Sequence, residues 1–509
     1  MQLRKPLAIV ATVTAALLIV GCTGPGSDDS DKSDKTLTIA LSTDVQSFDP
    51  NMLGDITSLN VMRNIAETLV QVGDGGTLEP LLAESWEAID DVTWEFHLRE
   101  GITFHNGEPF DAEAAKFTLD RLNNPELDNA RPTRWAKFAS FDAVDQYTLR
   151  VVTSEPQALT PALLSYVPIV APAAAEASPE KLASTPIGTG PFVLESWTRD
   201  DRMVLTANED YWQGAPEIDK VVIRPIPETS TRIAELRTGA VDYATNITPA
   251  LASEIDKADG LSTVAIPGAR FVYIGINTEA NPALLDPRVR QALNYAVDKQ
   301  GIITSLFNGN GEIMSQPAHS MHFGFSDDQT PYPYDPQRAR DLLSEAGVEN
   351  LSLNFDSPNG RYLLDAEVAQ IVANQLEDVG ITVNLTPREW GNFNELNLSR
   401  KLGDIFLLGW GNVPGLDADQ IYGPLLRTGS SSSYFSNPEM DELVAEASRL
   451  TDPQERLDLF AQAAAIAHDQ APWIYLYAQT DIYGISDRVE GLVPGADESL
   501  PLYSARIAD

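Results

Sequence analysis

The sequence contains very little cysteine and histidine. Its 509 residues include one cysteine, Cys22, and five histidines. A single cysteine cannot form an internal disulfide, so cysteine content does not reveal the redox compartment. Cys22 has no nearby partner and no G-x-S-x-G motif occurs, so nothing in the sequence supports nucleophilic catalysis. His319 and His322 are three residues apart, but no third ligand is near them, and we predict no metal site and no other cofactor.

Basic side chains are scarce compared with acidic ones. The chain has 35 Lys and Arg against 74 Asp and Glu, which gives a net charge of −39 at pH 7. Such a surface repels nucleic acid and anionic headgroups, and it favours solubility. The charge therefore excludes a nucleic-acid partner. It leaves two interpretations, a solvated acidic surface or attraction of cationic ligands.

Long apolar runs are missing except near the amino terminus. Arg4 and Lys5 precede an uncharged apolar run from Leu7 to Val20, which is typical of a secretory signal and short for a membrane span. The next residues, Gly21-Cys22, complete a segment that resembles a lipobox, in which the cysteine is lipidated and becomes the first mature residue. The alternative is an ordinary signal peptide that happens to contain a cysteine.

These features predict the organisation of the first 35 residues. We expect a lipoprotein signal peptide at 1–21 and a flexible tether at 22–35, which is rich in Gly, Ser, Asp and Lys. More than one acyl chain on Cys22 would give stable membrane attachment. The expected location is the extracytoplasmic face of the cell membrane, either the outer face of the plasma membrane or the periplasm.

The remaining chain alternates strand and helix patterns. "TLTIALS" predicts a strand, Val92 to Phe104 predicts a hairpin turning at residues 99–101, and Asp111 predicts a helix start. Four Asx-Pro pairs predict further helix starts, because the Asx side chain caps free amides and proline suits the first turn. They are Asp286-Pro287, Asp335-Pro336, Asn437-Pro438 and Asp452-Pro453. Strand patterns between them favour an α/β protein.

Several long segments resemble family 5 extracellular solute-binding proteins, the peptide, nickel and oligosaccharide receptors of ABC importers. The clearest segments are "LAESWEAIDDVTWEFHLREGITFHNGEPFDAEAAKFTLDRL", "IGTGPFVLESW", "YIGINTEANPALLDPRVRQALNYAVDKQGI" and "YDPQRARDLLSEAG". The likeness runs from Thr36 to about Tyr483. The spacing from Gly409-Trp410 to Asp417-Ala418-Asp419 looks more like the glutathione-type branch.

The resemblance implies an α/β, periplasmic-binding-protein-like fold of the class with an extra lobe, closing on a cleft by hinge bending. By position, lobe I would comprise 36–72, 185–268 and 481–509, lobe II 73–184, and lobe III 269–480. The hinges would lie near 268–273 and 479–484. The implied function is capture of oligopeptides, dipeptides or glutathione-like peptides, and delivery to an ABC permease and its ATPase by a monomeric receptor.

The same resemblance suggests which side chains hold the ligand. Arg270 is the first candidate for a ligand carboxylate, and Arg388 and Trp390 stand at a corresponding position after a strand. Trp410 is expected to line the pocket. The acidic residue that pairs with a peptide ammonium in related receptors is replaced by Val413, so Asp417 is the candidate for that role. Two aromatic residues are weaker candidates for the opposite wall, Phe48 and Trp135.

Other functions remain open at this stage. An oligosaccharide or nickel-chelate receptor would use the same fold, although the few histidines disfavour nickel. A tethered sensor without transport would also use it. A secreted hydrolase would need a nucleophile or a carboxylate pair that the sequence does not single out, so we predict that the protein is not an enzyme.

Overall fold

The computed structural model describes residues 35–53, 55–73, 77–124, 127, 137–177, 181–411, 416–430 and 432–508. The predicted signal peptide, Cys22 and the tether up to residue 34 lie outside the described residues. Trp135 and Val413 also lie outside them.

The described chain contains nineteen strands. In chain order these are β1 Thr36–Leu41, β2 Val70–Val72, β3 Leu78–Pro80, β4 Ala83–Asp90, β5 Thr93–Leu98, β6 Phe138–Asp145, β7 Thr148–Thr153, β8 Phe192–Thr198, β9 Arg202–Ala207, β10 Lys220–Pro225, β11 Tyr243–Ala244, β12 Leu261–Ile276, β13 Gly311–Ile313, β14 Ser352–Pro358, β15 Thr382–Arg388, β16 Ile405–Trp410, β17 Trp473–Ser486, β18 Val489–Glu490 and β19 Arg506–Ile507.

Fourteen α-helices alternate with these strands in the described chain. They are α1 Ile56–Met62, α2 Ala112–Asn123, α3 Thr160–Leu164, α4 Pro172–Ala177, α5 Thr229–Thr238, α6 Pro249–Ile255, α7 Pro287–Ala296, α8 Lys299–Phe307, α9 Pro336–Glu345, α10 Asp365–Asp378, α11 Trp390–Leu398, α12 Asp419–Leu425, α13 Pro438–Ala447 and α14 Pro453–Gln470.

All four helix starts predicted from Asx-Pro pairs are confirmed. The side chains of Asp286, Asp335, Asn437 and Asp452 each accept a hydrogen bond from a backbone amide in the first turn of α7, α9, α13 and α14. Asp111 caps α2 in the same way, accepting from the amide of Ala114. Each cap satisfies amides that have no partner inside the helix, which explains why these positions can be located from sequence.

The predicted hairpin at residues 92–104 is wrong in its pairing. β5 pairs with β4 before it and with β7 after it, so residues 102–104 are not its partner strand. The turn lies earlier, where the Asp90 carboxylate accepts from the amide of Val92 at 2.9 Å. An aspartate that bonds an amide two residues later stabilises a tight turn, and this local bond sets the strand pairing.

Two sheets account for most of the strands. A four-stranded antiparallel sheet has the order β4-β5-β7-β6. An eleven-stranded mixed sheet has the order β15-β14-β16-β12-β17-β11-β1-β10-β9-β8, with β13 added beside β17. The long antiparallel pair β12 and β17 joins its two halves. β12 also pairs with β16, and β17 also pairs with β11.

Alternate residues of β12 enter two different cores. Val272 and Ile274 belong to a core closed by α7 to α10, whereas Phe271 and Tyr273 belong to a core closed by α12 to α14. This follows from the two-residue period of a strand, whose side chains point to opposite faces. The largest core lies elsewhere and combines β1, the four-stranded sheet and β8 to β10. The predicted lobe boundaries stay a prediction.

The ladder between β12 and β17 is broken at one place that concerns function. Pro267 pairs with Thr480, but the next pair is Phe271 with Ala478, so three residues of β12 face one residue of β17. Such a bulge bends a strand and redirects its side chains. This bulge lies within both segments predicted to be hinges, 268–273 and 479–484.

Candidate functional site

Arg270 is the last residue of this bulge. It is half-buried, and the bulge is tied to the C-terminal segment because the amide of Ala269 donates to the carbonyl of Ala496 at 2.9 Å. Gly411 packs so closely on the Arg270 backbone that a side chain at position 411 would collide with it. The backbone around Arg270 is therefore fixed on two sides, which holds its guanidinium at the break in the ladder.

A second arginine, Arg361, lines the same cavity as Arg270. It is held by the loop between β14 and α10, where the buried Asp365 carboxylate accepts from the amides of Gly360, Arg361 and Tyr362 at 2.8 to 2.9 Å. The Arg361 guanidinium lies over the indole ring of Trp390, 4.9 Å from its centroid. Stacking on an aromatic face leaves the edge of a guanidinium available to a carboxylate.

Arg270 and Arg361 line one cavity of about 240 Å³, which we call the cleft cavity. Its walls come from the loop after β11, from the bulge, from the loop before α10 and from β17. The full lining is Asn246, Ile247, Thr248, Arg270, Arg361, Tyr362, Leu363, Gln479, Thr480, Asp481 and Ile482.

The charges in the cleft cavity are not neutralised in pairs. Within the described residues, neither Arg270 nor Arg361 forms an ion pair with a carboxylate. The carboxylate of Asp481 lines the same cavity and likewise forms no ion pair within the described residues. It accepts a hydrogen bond from the side-chain amide of Gln479 at 3.2 Å. A cavity with unpaired groups of both signs can bind a ligand that carries both a carboxylate and a cation.

Trp410 and Trp390 flank this region on neighbouring elements. Trp410 ends β16 opposite Phe271, one residue from Arg270, and its indole nitrogen donates to the carbonyl of Gln420 at 3.1 Å. Trp390 begins α11 and stacks on Phe393. Both rings are half-buried. They are placed near the cleft cavity without lining it, so their contact with ligand stays a prediction.

Arg388 lies nearby but is already paired. Its guanidinium donates to the buried carboxylate of Asp356 at 2.8 Å. Asp356 also accepts from the amide of Gly403, which fixes the pair between β14 and β15. Its predicted ligand contact is untested, and Arg388 differs from Arg270 and Arg361 because its charge is neutralised within the protein.

Asp417 is buried and forms a bidentate ion pair with Arg456, with both N–O distances 2.9 Å. It also accepts from the amide of Asp419 at 2.9 Å. Its carboxylate is thus fully engaged by protein groups. Its role as the partner of a ligand ammonium remains a prediction, and such a role would require it to leave Arg456.

Phe48, predicted on the opposite wall, is fully buried. Its ring meets the edge of Trp197 with the centroids 5.2 Å apart, inside the largest core. His319 and His322 are also buried, and burial lowers the pKa of both imidazoles. In the part of the chain that the structure describes, no group of three potential ligand side chains is arranged to hold a metal ion.

A larger cavity of about 580 Å³ lies near α1, and its charged groups all have protein partners, although that of Arg99 is the carbonyl of Leu81 and not a carboxylate. The Glu67 carboxylate accepts from Tyr211, Trp212 and Thr189, and Arg63 pairs with Asp497 at 2.6 Å. Burying a charge is costly unless it is hydrogen-bonded or paired, so the contacts of Glu67 and the Arg63–Asp497 pair need no ligand to explain them. The cleft cavity is the stronger candidate for ligand binding.

A mixed sheet whose halves are joined by two long strands, with an unpaired cluster of charge at the joining strands, defines a binding protein of the periplasmic-binding-protein type. The predicted α/β fold of this class is confirmed by the comparison with solved structures. Within the described residues, no helix combines the length and the apolar character needed to cross a membrane.

The chain belongs to the bacterial extracellular solute-binding proteins, family 5, whose model (its middle region) matches residues 77–433. The predicted resemblance is confirmed. The protein is therefore a solute-binding component of an ABC importer and not an enzyme, since proteins of this family bind peptides or similar solutes and deliver them to a permease.

Three similar proteins illustrate the range of ligands in this family. Heme-binding protein A of Haemophilus influenzae is 30% identical over 97% of both chains. The glutathione-binding protein GsiB of Escherichia coli K12 is 28% identical over 95% of both chains. The structure of DppA from Helicobacter pylori in complex with the peptide STSA is 25% identical, covers 93% of this chain and 98% of that one, and superposes with a TM-score of 0.73.

Proposed function

We propose that the protein is a lipid-anchored receptor that captures small peptides, including glutathione-like ones, and delivers them to its permease. The observation that carries this proposal is the pair of unpaired guanidinium groups, Arg270 and Arg361, in the cleft cavity. Guanidinium groups bind carboxylates by paired hydrogen bonds, and every unblocked peptide presents at least one carboxylate.

The negative charge of the whole chain makes the two arginines the favoured place for a ligand carboxylate. On a chain of net charge −39, a carboxylate ligand is repelled from most of the surface. The two arginines of the cleft cavity form no ion pair within the described residues, and they provide a local exception there. The ligand would be drawn to this place, and its carboxylate would compensate the two arginines.

Closure of lobe III, residues 269–480, on the rest of the protein would complete the site. The bulge in β12 and the facing residues of β17 supply the bending point, and Arg270 is part of that point. A ligand that contacts both sides stabilises the closed state by its differential affinity for that state. The closed form would then be recognised by the permease.

The membrane anchor is the second part of the proposal. Cys22 would be lipidated after removal of residues 1–21, and residues 22–35 would be the tether. A tether of this composition is flexible, so it would keep the receptor at high effective concentration near the permease. The support for this part is the sequence pattern alone.

A ligand panel tests the proposal directly. The purified chain without residues 1–34 would be screened by thermal unfolding with glutathione, trialanine, hemin, a nickel–histidine chelate and maltotriose. Selective binding to the folded state raises the melting temperature once the ligand exceeds its dissociation constant. We expect glutathione or trialanine to raise it. Stabilisation only by hemin, the chelate or the sugar would overturn the peptide assignment.

Two variants connect binding to the cleft cavity. Arg270→Ala and Arg361→Ala should each weaken binding of the stabilising peptide, measured by calorimetry. Arg237→Ala is the matched control, because it removes an exposed charge from α5. Unchanged affinity in both cleft variants would exclude the cleft cavity as the peptide site.

A further inference from the structure

Asp481 occupies a central position in the cleft cavity. It lies on β17 opposite Ile266, one pair away from the break in the β12–β17 ladder. The facing residue on the bulge is Gly268, and a side chain there would collide with the Asp481 carboxylate. Space for this carboxylate is therefore provided by the absence of a side chain at position 268.

The same carboxylate also borders a smaller cavity on its other side. That cavity holds about 40 Å³ and shares Asn246 and Asp481 with the cleft cavity. Glu498, from the segment after β18, lines it as well. Asp481 is thus half-buried between two cavities rather than packed into a core, so its carboxylate remains accessible from the cleft.

Among the residues that the structure describes, none places a cation in contact with Asp481. Arg270 acts on it through space from β12, Glu498 and Tyr483 are the other titratable neighbours, and Gln479 donates one hydrogen bond. Burial, reinforced by Glu498, raises the pKa of the Asp481 carboxyl to about 7, and the Gln479 bond and Arg270 only partly oppose this. Buried acids are normally stabilised by a partner of opposite charge.

We propose that Asp481 is the carboxylate that recognises the ammonium group of the ligand, in the cleft cavity that Arg270 and Arg361 also line. This inference rests on the proposed peptide function and identifies the ligand as zwitterionic, with a free amino group. It gives the ammonium a different partner from the one expected at Asp417, whose carboxylate is engaged by Arg456. A ligand cation would supply the contact that the protein leaves out.

Calorimetry with matched ligands tests this assignment. The probes are glutathione and trialanine, each with a free or an acetylated amino group, titrated into the wild type, Asp481→Asn and Asp487→Asn. Asp487 is an exposed aspartate just beyond the end of β17 and serves as the control. We expect acetylation to weaken wild-type and control binding by on the order of 10- to 100-fold. In Asp481→Asn, this difference should disappear.

A proton measurement separates recognition from a merely structural effect. If ligand binding fixes Asp481 in its ionised form, the free-amine peptide should release protons near pH 7, detectable as a dependence of the heat on the buffer. Wild-type affinity for the free-amine peptide should therefore rise between pH 5 and pH 7, where the peptide ammonium, with its pKa of about 8, is still charged. Asp481→Asn should show neither effect, and its circular dichroism and melting temperature would verify that it is folded.

The outcomes distinguish this inference from the function on which it rests. If the wild type binds neither peptide in either form, the proposed function is wrong and this inference is wrong with it. Two other outcomes leave peptide binding intact and show that the role of Asp481 is wrong. In the first, acetylation weakens binding equally in the wild type and in Asp481→Asn. In the second, acetylation does not weaken wild-type binding at all.

Discussion

Removing Arg270 and Arg361 separately and together measures how many ligand carboxylates the cleft cavity holds. A hydrogen bond to a charged group contributes about 1.5–3 kcal/mol, which corresponds to roughly a 10- to 150-fold change in Kd. Arg270 is half-buried and should lie near the upper value. Arg361 is exposed and stacked on Trp390, so solvent screening should place it near the lower value.

The double variant decides between two arrangements. If the two arginines hold two different carboxylates, as in glutathione, their losses should add to about 3–6 kcal/mol. If they grip one carboxylate, as in trialanine, the double variant should lose clearly less than the sum. The thermodynamic cycle is measured by calorimetry with the peptide that stabilises the wild type.

These variants should change ligand binding with little effect on the stability of the ligand-free protein. Neither guanidinium is in an ion pair within the described residues, so removing it breaks no direct contact between charges, and Arg270→Ala loses only a through-space attraction to Asp481. The melting temperature of the ligand-free protein should therefore stay close to that of the wild type. A Kd that changes less than about twofold in the double variant would refute the assignment of both arginines to the ligand.

Three further predictions follow from other features. Arg456→Ala leaves the buried Asp417 unpaired and should lower the free energy of unfolding by about 3–5 kcal/mol, measured by urea denaturation. The control Arg338→Ala breaks an exposed ion pair and should lower it by less than about 1 kcal/mol. Equal losses would contradict this. Cys22→Ser should release the protein from membranes with ligand affinity unchanged; a mutant still membrane-bound in cell fractionation would disprove the anchor. Because Asp481 has a raised pKa in the folded state, it destabilises the ligand-free protein as pH rises through about 7, and Asp481→Asn should lack that decrease in melting temperature.

Local chemistry made much of the fold predictable. The Asx-Pro helix starts succeed because each cap is a bond between residues two or three apart. Gly347 and Gly380, which lie two residues beyond the ends of α9 and α10, both have the positive φ that glycine permits, 69° and 93°. The hairpin failed because two turns compete for β5, at Asp90 and at Gly101, and pairing with β4 rather than residues 102–104 depends on the whole sheet.

The site was harder to predict because it depends on contacts distant in sequence. Arg270 was identifiable from its place beside a conspicuous strand. Arg361 and Asp481 were not identified, since their meeting requires the loop before α10 and the end of β17 to converge on one cavity. The only local signals were the turn "SPNGR" after β14 and an acid in an otherwise apolar strand. The pairing of Asp417 with Arg456 joins residues 39 positions apart and has no local signal.

The break in the β12–β17 ladder gives the receptor a mechanical property. A continuous ladder resists bending because each hydrogen bond would have to stretch, whereas the three bulge residues of β12 have no paired residue on β17. Arg270 and Asp481 lie on the two strands at this compliant point. A ligand held between these two side chains would link β12 and β17 where their pairing is interrupted. Ligand binding would therefore make the hinge itself more rigid.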